Sequence, residues 1–231
     1  MKPIIFSTLM VQAILEGRKT QTRRVIKLKY GNTHHEMRTD KYGTYLVEME
    51  NEIEGVHLIK NDDGTTTMKL LAYIEKKPRY QAGDILWVRE TWMDIPEHFP
   101  ENFHYRASST PDDIAWLKNC SCKWRSGKYM PRAVARIFLR VTDVRAERVQ
   151  DISPEDIRAE GFAFECDSLC VGPCEPIKKG GAMCLGYRPF ERIWESLNAK
   201  RGYGWDTNPW VWAYTFERIT KEEAERDEQN D

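Results

Sequence analysis

Met10, Val11, Ile14 and Leu15 recur at three- and four-residue spacing, which lays them along one face of a helix. Ser7 precedes that stripe at a capping position and Gly17 follows it as a stop, so the pattern predicts a short strand and then a helix. "TRRVIK" returns the chain to extended structure. From 30 to 79, turn signals in "YGN", "KYGT" and "NDDGTTT" break the sequence into short alternating pieces, read as an inserted hairpin region with no core of its own. "AGDILWVRETW" is a turn at Gly83-Asp84 followed by a strand, and 93–131 read as loop. Ala135, Ile137, Leu139 and Val141 then alternate with Arg136, Phe138, Arg140 and Thr142, the period of a strand with one buried and one wetter face.

"ISPEDIRAEGF" carries both helix signposts: Ser153 as cap, Pro154 in the first turn, Asp156 three residues after the cap, and Gly161 as the stop. "RPFERIWESLNAKRG" puts Phe190, Ile193, Trp194 and Leu197 on one helix face. "PWVWAYTFERI" is a strand whose Trp210, Trp212, Tyr214 and Phe216 share a side. The sum is an α+β, β-rich domain in which helices cap or cross a small sheet.

Composition narrows this picture. The chain has 231 residues, 41% hydrophobic with eight tryptophans, enough for one large domain over 1–219 with a real core. Residues 217–231 hold seven acids against three bases, so 220–231 are predicted to be a solvated acidic tail. The net charge of −1 gives no global field, yet 1–29 hold seven bases against Glu16 alone. No apolar run approaches a membrane span and the N-terminal stretch lacks a secretory signal, so no membrane partner and a cytoplasmic location are expected.

Four stretches in this order, "ILEGRKTQTRR", "GDILWVRETW", "RIFLRVTDVRAERVQDISPEDIRAEGF" and "NPWVWAYTFERI", resemble the ASCH-domain family, and within it the longer members common in phages and prophages. The resemblance covers most of the chain, leaving out 30–79, part of 93–122, the cysteine-rich 163–186 and the tail. It implies a PUA-like small β-barrel with flanking helices and a cleft for RNA or a modified nucleoside. The small bacterial N4-acetylcytidine amidohydrolases of this family use a lysine, a threonine and a glutamate. The matching positions are Lys19 and Thr22 in "GRKTQT" and Glu160 near the end of the helix after the central strand. Other relatives are similar to RNA-binding modules or ribonucleases. Three activities therefore stay open: hydrolysis of an N-acylated pyrimidine such as N4-acetylcytidine, RNA binding without chemistry, and metal-independent RNA cleavage. No cofactor is required for catalysis in any of them.

The residue chemistry fits this expectation and also admits plainer readings. Amide hydrolysis needs an activated nucleophile, and Lys19 beside Arg18, Arg23 and Arg24 sits among like charges that lower its pKa. The plainer reading has Arg18 and Lys19 neutralising a helix C-terminus, and Glu160 as a solvated helix end. Lys19 and Thr22 also point to opposite faces if both lie in one strand. A second cluster, "CKWRSGKYMPR", interleaves Lys123, Arg125, Lys128 and Arg132 with Trp124 and Tyr129 around a Gly127 turn, the mixture that grips phosphates and stacks bases. Arg89 is placed at the same cleft, with a simple Arg89–Glu90 pair as the alternative. Cys166, Cys170, Cys174 and Cys184 follow as C-x3-C-x3-C-x9-C among Gly and Pro. They suit either a closed structural zinc site, with Cys120 and Cys122 as rival ligands, or free thiols in a loop.

Overall fold

Strands and helices form largely where the apolar periods place them. The computed structural model describes residues 1–28, 34–40, 43–49, 57–60, 66–69, 73–94, 103–119, 123–162 and 187–229. The chain runs β1 (Lys2–Ile5), α1 (Thr8–Leu15), β2 (Gln21–Val25), β3 (His34–Asp40), β4 (Gly43–Met49), β5 (His57–Lys60), β6 (Thr66–Lys69) and β7 (Tyr73–Lys76). It continues through β8 (Ile85–Arg89), β9 (Trp92–Asp94), β10 (Phe103–Tyr105), α2 (Pro111–Asn119), β11 (Phe138–Arg148) and α3 (Pro154–Ala159). It closes with α4 (Arg188–Asn198), β12 (Trp210–Ile219) and α5 (Lys221–Gln229). No helix among the described residues is long and apolar enough to cross a membrane.

The central sheet has the order β1-β8-β11-β12-β2, with β1 parallel to β8 and the other pairs antiparallel. The expected barrel is not closed among the described residues, because β1 and β2 end the strand order with no ladder between them. Instead Arg24 of β2 donates from Nη2 to the carbonyl of Ile5, at the end of β1, over 2.8 Å. The sheet has curled until its edges face each other, and a side chain spans the gap that a ladder would fill. A bulge between Val141 and Asp143 in β11 adds the local twist that such curling needs.

Inside the curl lies the largest core cluster, with Val88, Leu139, Val141, Trp212, Tyr214 and Phe216 from the sheet and Val11 and Ile14 from α1. Alternation explains the placement: successive side chains of β12 go to opposite faces, so Val211 packs under α4 with Phe190, Trp194 and Trp205. A third cluster collects Trp87, Trp92, Met130 and Phe138 beneath α5. Burying Phe138 shows that the face of β11 expected to be wet is covered there.

Local chemistry sets the helix ends. The Ser153–Asp156 capping box of α3 is complete, with Pro154 in the first turn. Ser7 has the extended backbone of a cap but makes no side-chain capping bond, so α1 rests on burial of Val11, Ala13 and Ile14. Three expectations change. Residues 111–119 form a helix within the stretch read as loop. Leu46 of the inserted region, whose β3, β4 and β7 form an antiparallel sheet, is buried in the main core. The tail read as solvated is instead the helix α5: Ala224 is fully buried, Asp227 pairs with Arg140, and Glu228 accepts from both Arg132 and the Met1 amine.

Candidate ligand site

The turn at Gly17, at φ +74°, ends α1 and sends the chain toward the end of α3. There Lys19 forms an isolated antiparallel bridge with Glu160, and the Thr20 amide donates to the Ala159 carbonyl over 2.7 Å. Lys19 therefore precedes β2, and strand alternation does not fix its direction relative to Thr22. Its side chain is wholly buried, and Nζ donates to Glu160 Oε2 at 2.5 Å, the Gln21 carbonyl at 2.7 Å and the Glu160 carbonyl at 3.0 Å. All three ammonium protons are thus used. Burial pushes the Lys19 pKa below its ordinary value, against the pull of Glu160 and with further lowering from Arg24 and Arg23.

Arg23 is the other cation on Glu160. Its Nη1 donates to Glu160 Oε1 at 3.2 Å, its Nε to Glu147 at 2.7 Å, and Nη2 lies 3.0 Å from Asp156 without hydrogen-bond geometry. Arg145 ties Glu147 and Asp156 together from the outer side. The result is a buried lattice of Lys19, Arg23 and Arg145 against Glu160, Glu147 and Asp156. It holds the Glu160 carboxylate by one cation on each oxygen.

Glu160 also lines a cavity of about 480 Å³, within the range of small-molecule sites. Ser7, Thr22, Arg23, Arg24, Asn198 and Arg201 contribute its other polar groups, and Phe6, Phe162, Phe190 and Trp194 its aromatic walls. The Thr22 hydroxyl has no hydrogen-bond partner among the described residues. Phe6 lies between two cations, with Lys19 Nζ 5.7 Å and the Arg24 guanidinium 5.4 Å from the ring centre. Leu197, on the same predicted helix face as Phe190 and Trp194, is 53% exposed and lines this cavity. A flat heterocycle carrying N–H donors matches the combination: the rings stack on it, Glu160 accepts, and Thr22 gives or takes one hydrogen bond.

A second cavity, about 570 Å³, is lined by residues of both edge strands, β1 and β2. It shares Ile5, Arg24 and Val25 with the first. Around Tyr80, Trp212 and Tyr214 it gathers Arg24 and Lys27 from β2 and its exit, Lys76, Lys77 and Arg79 from the end of β7 onward, Arg89 from β8, and Lys128. No Asp or Glu is among the described lining residues. Tyr80 donates to the Pro3 carbonyl and Tyr214 accepts the Arg79 amide, while burial pushes the Tyr214 phenol up to about 12.

The structure thus divides the residues singled out in the sequence. Thr22, Arg23, Arg24 and Glu160 converge on one cavity with Lys19 behind them, and Arg24, Arg89 and Lys128 meet at the other. Arg18 is exposed, pairing with Glu16 and the Gly161 carbonyl, and lines neither. The cluster at 123–132 does not act as a unit. Arg106 stacks on Trp124, Arg125 on Trp92, and Arg132 binds Glu228; Lys123 and the exposed Tyr129 line neither cavity. Glu90 pairs with Arg136 rather than Arg89, whose guanidinium stacks on Trp87. Cys166, Cys170, Cys174 and Cys184, with Cys120 and Cys122, lie outside the described residues.

Sequence reasoning missed Phe6, Lys27, Phe162, Phe190, Trp194 and the "KKPRY" run as site residues. The basic run is visible in the sequence, where it falls at the edge of the inserted region 30–79. The aromatic walls read as ordinary core. No protein-family model matches this chain, and neither a curated protein nor a solved structure is found to match it.

Proposed function

We propose that this chain is an ASCH-type, PUA-like protein that recognises a nucleobase, in a modified nucleoside or in RNA, within the cavity lined by Thr22 and Glu160. One observation carries the reading: Glu160, its buried carboxylate held by Lys19 and Arg23, lines a cavity together with four aromatic residues. Two cations keep that carboxylate oriented, and its remaining lone pairs can accept an exocyclic amine or ring N–H.

Thr22 on the same cavity favours a second step, hydrolysis of an N-acyl group such as that of N4-acetylcytidine. Thr22 Oγ adds to the acyl carbon and its proton passes to the Lys19–Glu160 pair. The C–N bond then breaks as that proton reaches the leaving nitrogen, and water releases the acid from the threonine ester. Because all three Lys19 protons are engaged, Lys19 accepts the threonine proton only after handing one to Glu160 across their 2.5 Å contact.

The test is binding and turnover of N4-acetylcytidine by wild type and Thr22→Val, followed by titration calorimetry and by product analysis. Turnover that disappears in Thr22→Val while binding persists supports both steps. Binding without turnover in the wild type leaves recognition alone. A wild type that binds neither N4-acetylcytidine, cytidine nor a short RNA overturns the proposal.

A further inference from the structure

We infer that the ligand is a phosphorylated nucleoside, with its base in the cavity of Thr22 and Glu160 and its phosphate in the adjoining basic cavity, Arg24 reaching both. This deepens the function proposed above and rests on it for the position of the base.

The argument starts from charge. The chain has 36 acidic and 35 basic residues, so carboxylates are available to neutralise almost every cation. Arg23, Arg132, Arg136, Arg140 and Arg145 each sit against one or more carboxylates, while Arg106 and Arg148 stack on tryptophans. The basic cavity differs from both in gathering several cations around one space. Lys27, Arg79, Arg89 and Lys128 converge there from separate parts of the chain, and none has a carboxylate partner among the described residues. Bringing like charges together around a concave surface raises the potential inside it, and an anion relieves that repulsion.

Position supplies the second strand of evidence. The two cavities meet only where Ile5, Arg24 and Val25 line both, across the open edge of the sheet. Arg24 spends Nη2 on the Ile5 carbonyl, which holds its guanidinium at that junction. A guanidinium so placed can present further N–H groups to a phosphate while its face covers Phe6 in the base cavity. Tyr80, Trp212 and Tyr214 give the basic cavity aromatic surface as well, which suits a sugar or neighbouring base beside the phosphate. The phosphate belongs either to a mononucleotide or to an RNA strand, and both present the same chemistry to these side chains.

The test measures the affinities of N4-acetylcytidine, its 5′-monophosphate, ribose 5-phosphate and an octacytidylate RNA across a salt series. The proteins are wild type, the surface triple variant Lys27→Gln/Arg79→Gln/Lys128→Gln, and Arg18→Gln as a charge control outside both cavities. The monophosphate is expected to bind about tenfold or more tighter than the nucleoside at low salt, the scale of a charge-assisted phosphate contact. That advantage should collapse in the triple variant, persist in Arg18→Gln, and leave nucleoside affinity unchanged. If the octamer binds tighter still, with a salt slope several times that of the monophosphate, the phosphate is that of an RNA strand; equal binding assigns a mononucleotide. Ribose 5-phosphate binding that the triple variant loses, with no nucleoside binding in any protein, keeps the phosphate seat and removes the base reading. Equal affinity for nucleoside and monophosphate in wild type overturns the inference, as does an advantage that survives in the triple variant.

Discussion

At the scale of single residues, the site depends on a lysine and a glutamate that neither dipole compensation nor a solvated helix end describes. Lys19 and Glu160 are 2% and 4% exposed, and each is the other's main neutraliser. Removing one partner strands a buried charge, which costs roughly 3–5 kcal/mol. Glu160→Gln is therefore expected to lower unfolding free energy by about that amount in denaturant titration. Adding Lys19→Met to the same protein should recover much of the loss, since the stranded ammonium is then gone. It also follows that lost activity in Lys19→Ala would not by itself identify a catalytic lysine, whereas Thr22→Val removes one hydroxyl at nearly constant shape. The resemblance pointed to Lys19, Thr22 and Glu160, but their residue types alone left the plainer readings standing. Burial removes the solvated helix end as a description of Glu160, and burial is a property of the fold.

At the scale of elements, the approach of α3 to α1 brings the pair together, and Gly161 permits it. Its φ is +92°, and a β-carbon there would lie 3.0 Å from Ala13 Cβ and 3.2 Å from Lys19 Cβ. Gly161→Ala combines backbone strain with that clash, so a loss of roughly 1–3 kcal/mol in denaturant titration is expected. The same variant should weaken ligand binding, because the end of α3 carries Glu160. At the other end of the chain, α5 is pinned through Glu228, whose carboxyl is held at about 2 by Arg132 and the Met1 amine. A depressed carboxyl contributes stability above its ordinary 4.5 and loses it as pH falls through about 2. Glu228→Gln should remove that acid dependence, cost about 1 kcal/mol or less for such surface pairs, and speed tryptic cleavage after Arg226. Unchanged cleavage would mean that burial of Ala224 alone holds the helix. The acidic run at 221–229 gave no hint of docking, because its partners lie far away at Met1, Arg132 and Arg140.

At the scale of the whole molecule, the curled sheet places Tyr214 where its phenol is protected. Burial raises its pKa from 10.0 to about 12, so the folded chain keeps a proton that the unfolded chain releases above 10. The sign is stabilising below pH 10, with the contribution lost as pH rises through about 12. Two units correspond to roughly 2–3 kcal/mol. Unfolding free energy measured between pH 10 and 12 should fall less steeply in Tyr214→Phe than in wild type by that margin.

The sequence by itself determined the elements whose signals are local. The capping box and glycine stop of α3, the apolar stripe of α1 and the alternation in β12 act between residues a few positions apart, so they are written directly into the chain. It also displayed its basic clusters. What the tertiary structure decided is which of those charges are spent and which are offered. Lys19 meets Glu160 across 141 residues and Arg23 meets Glu147 across 124, and no local pattern encodes either encounter. The open edge between β1 and β2 belongs to the same class. Whether a curled sheet closes with a ladder or with the side chain of Arg24 depends on how its five strands pack and twist, and that gap is where the two cavities meet.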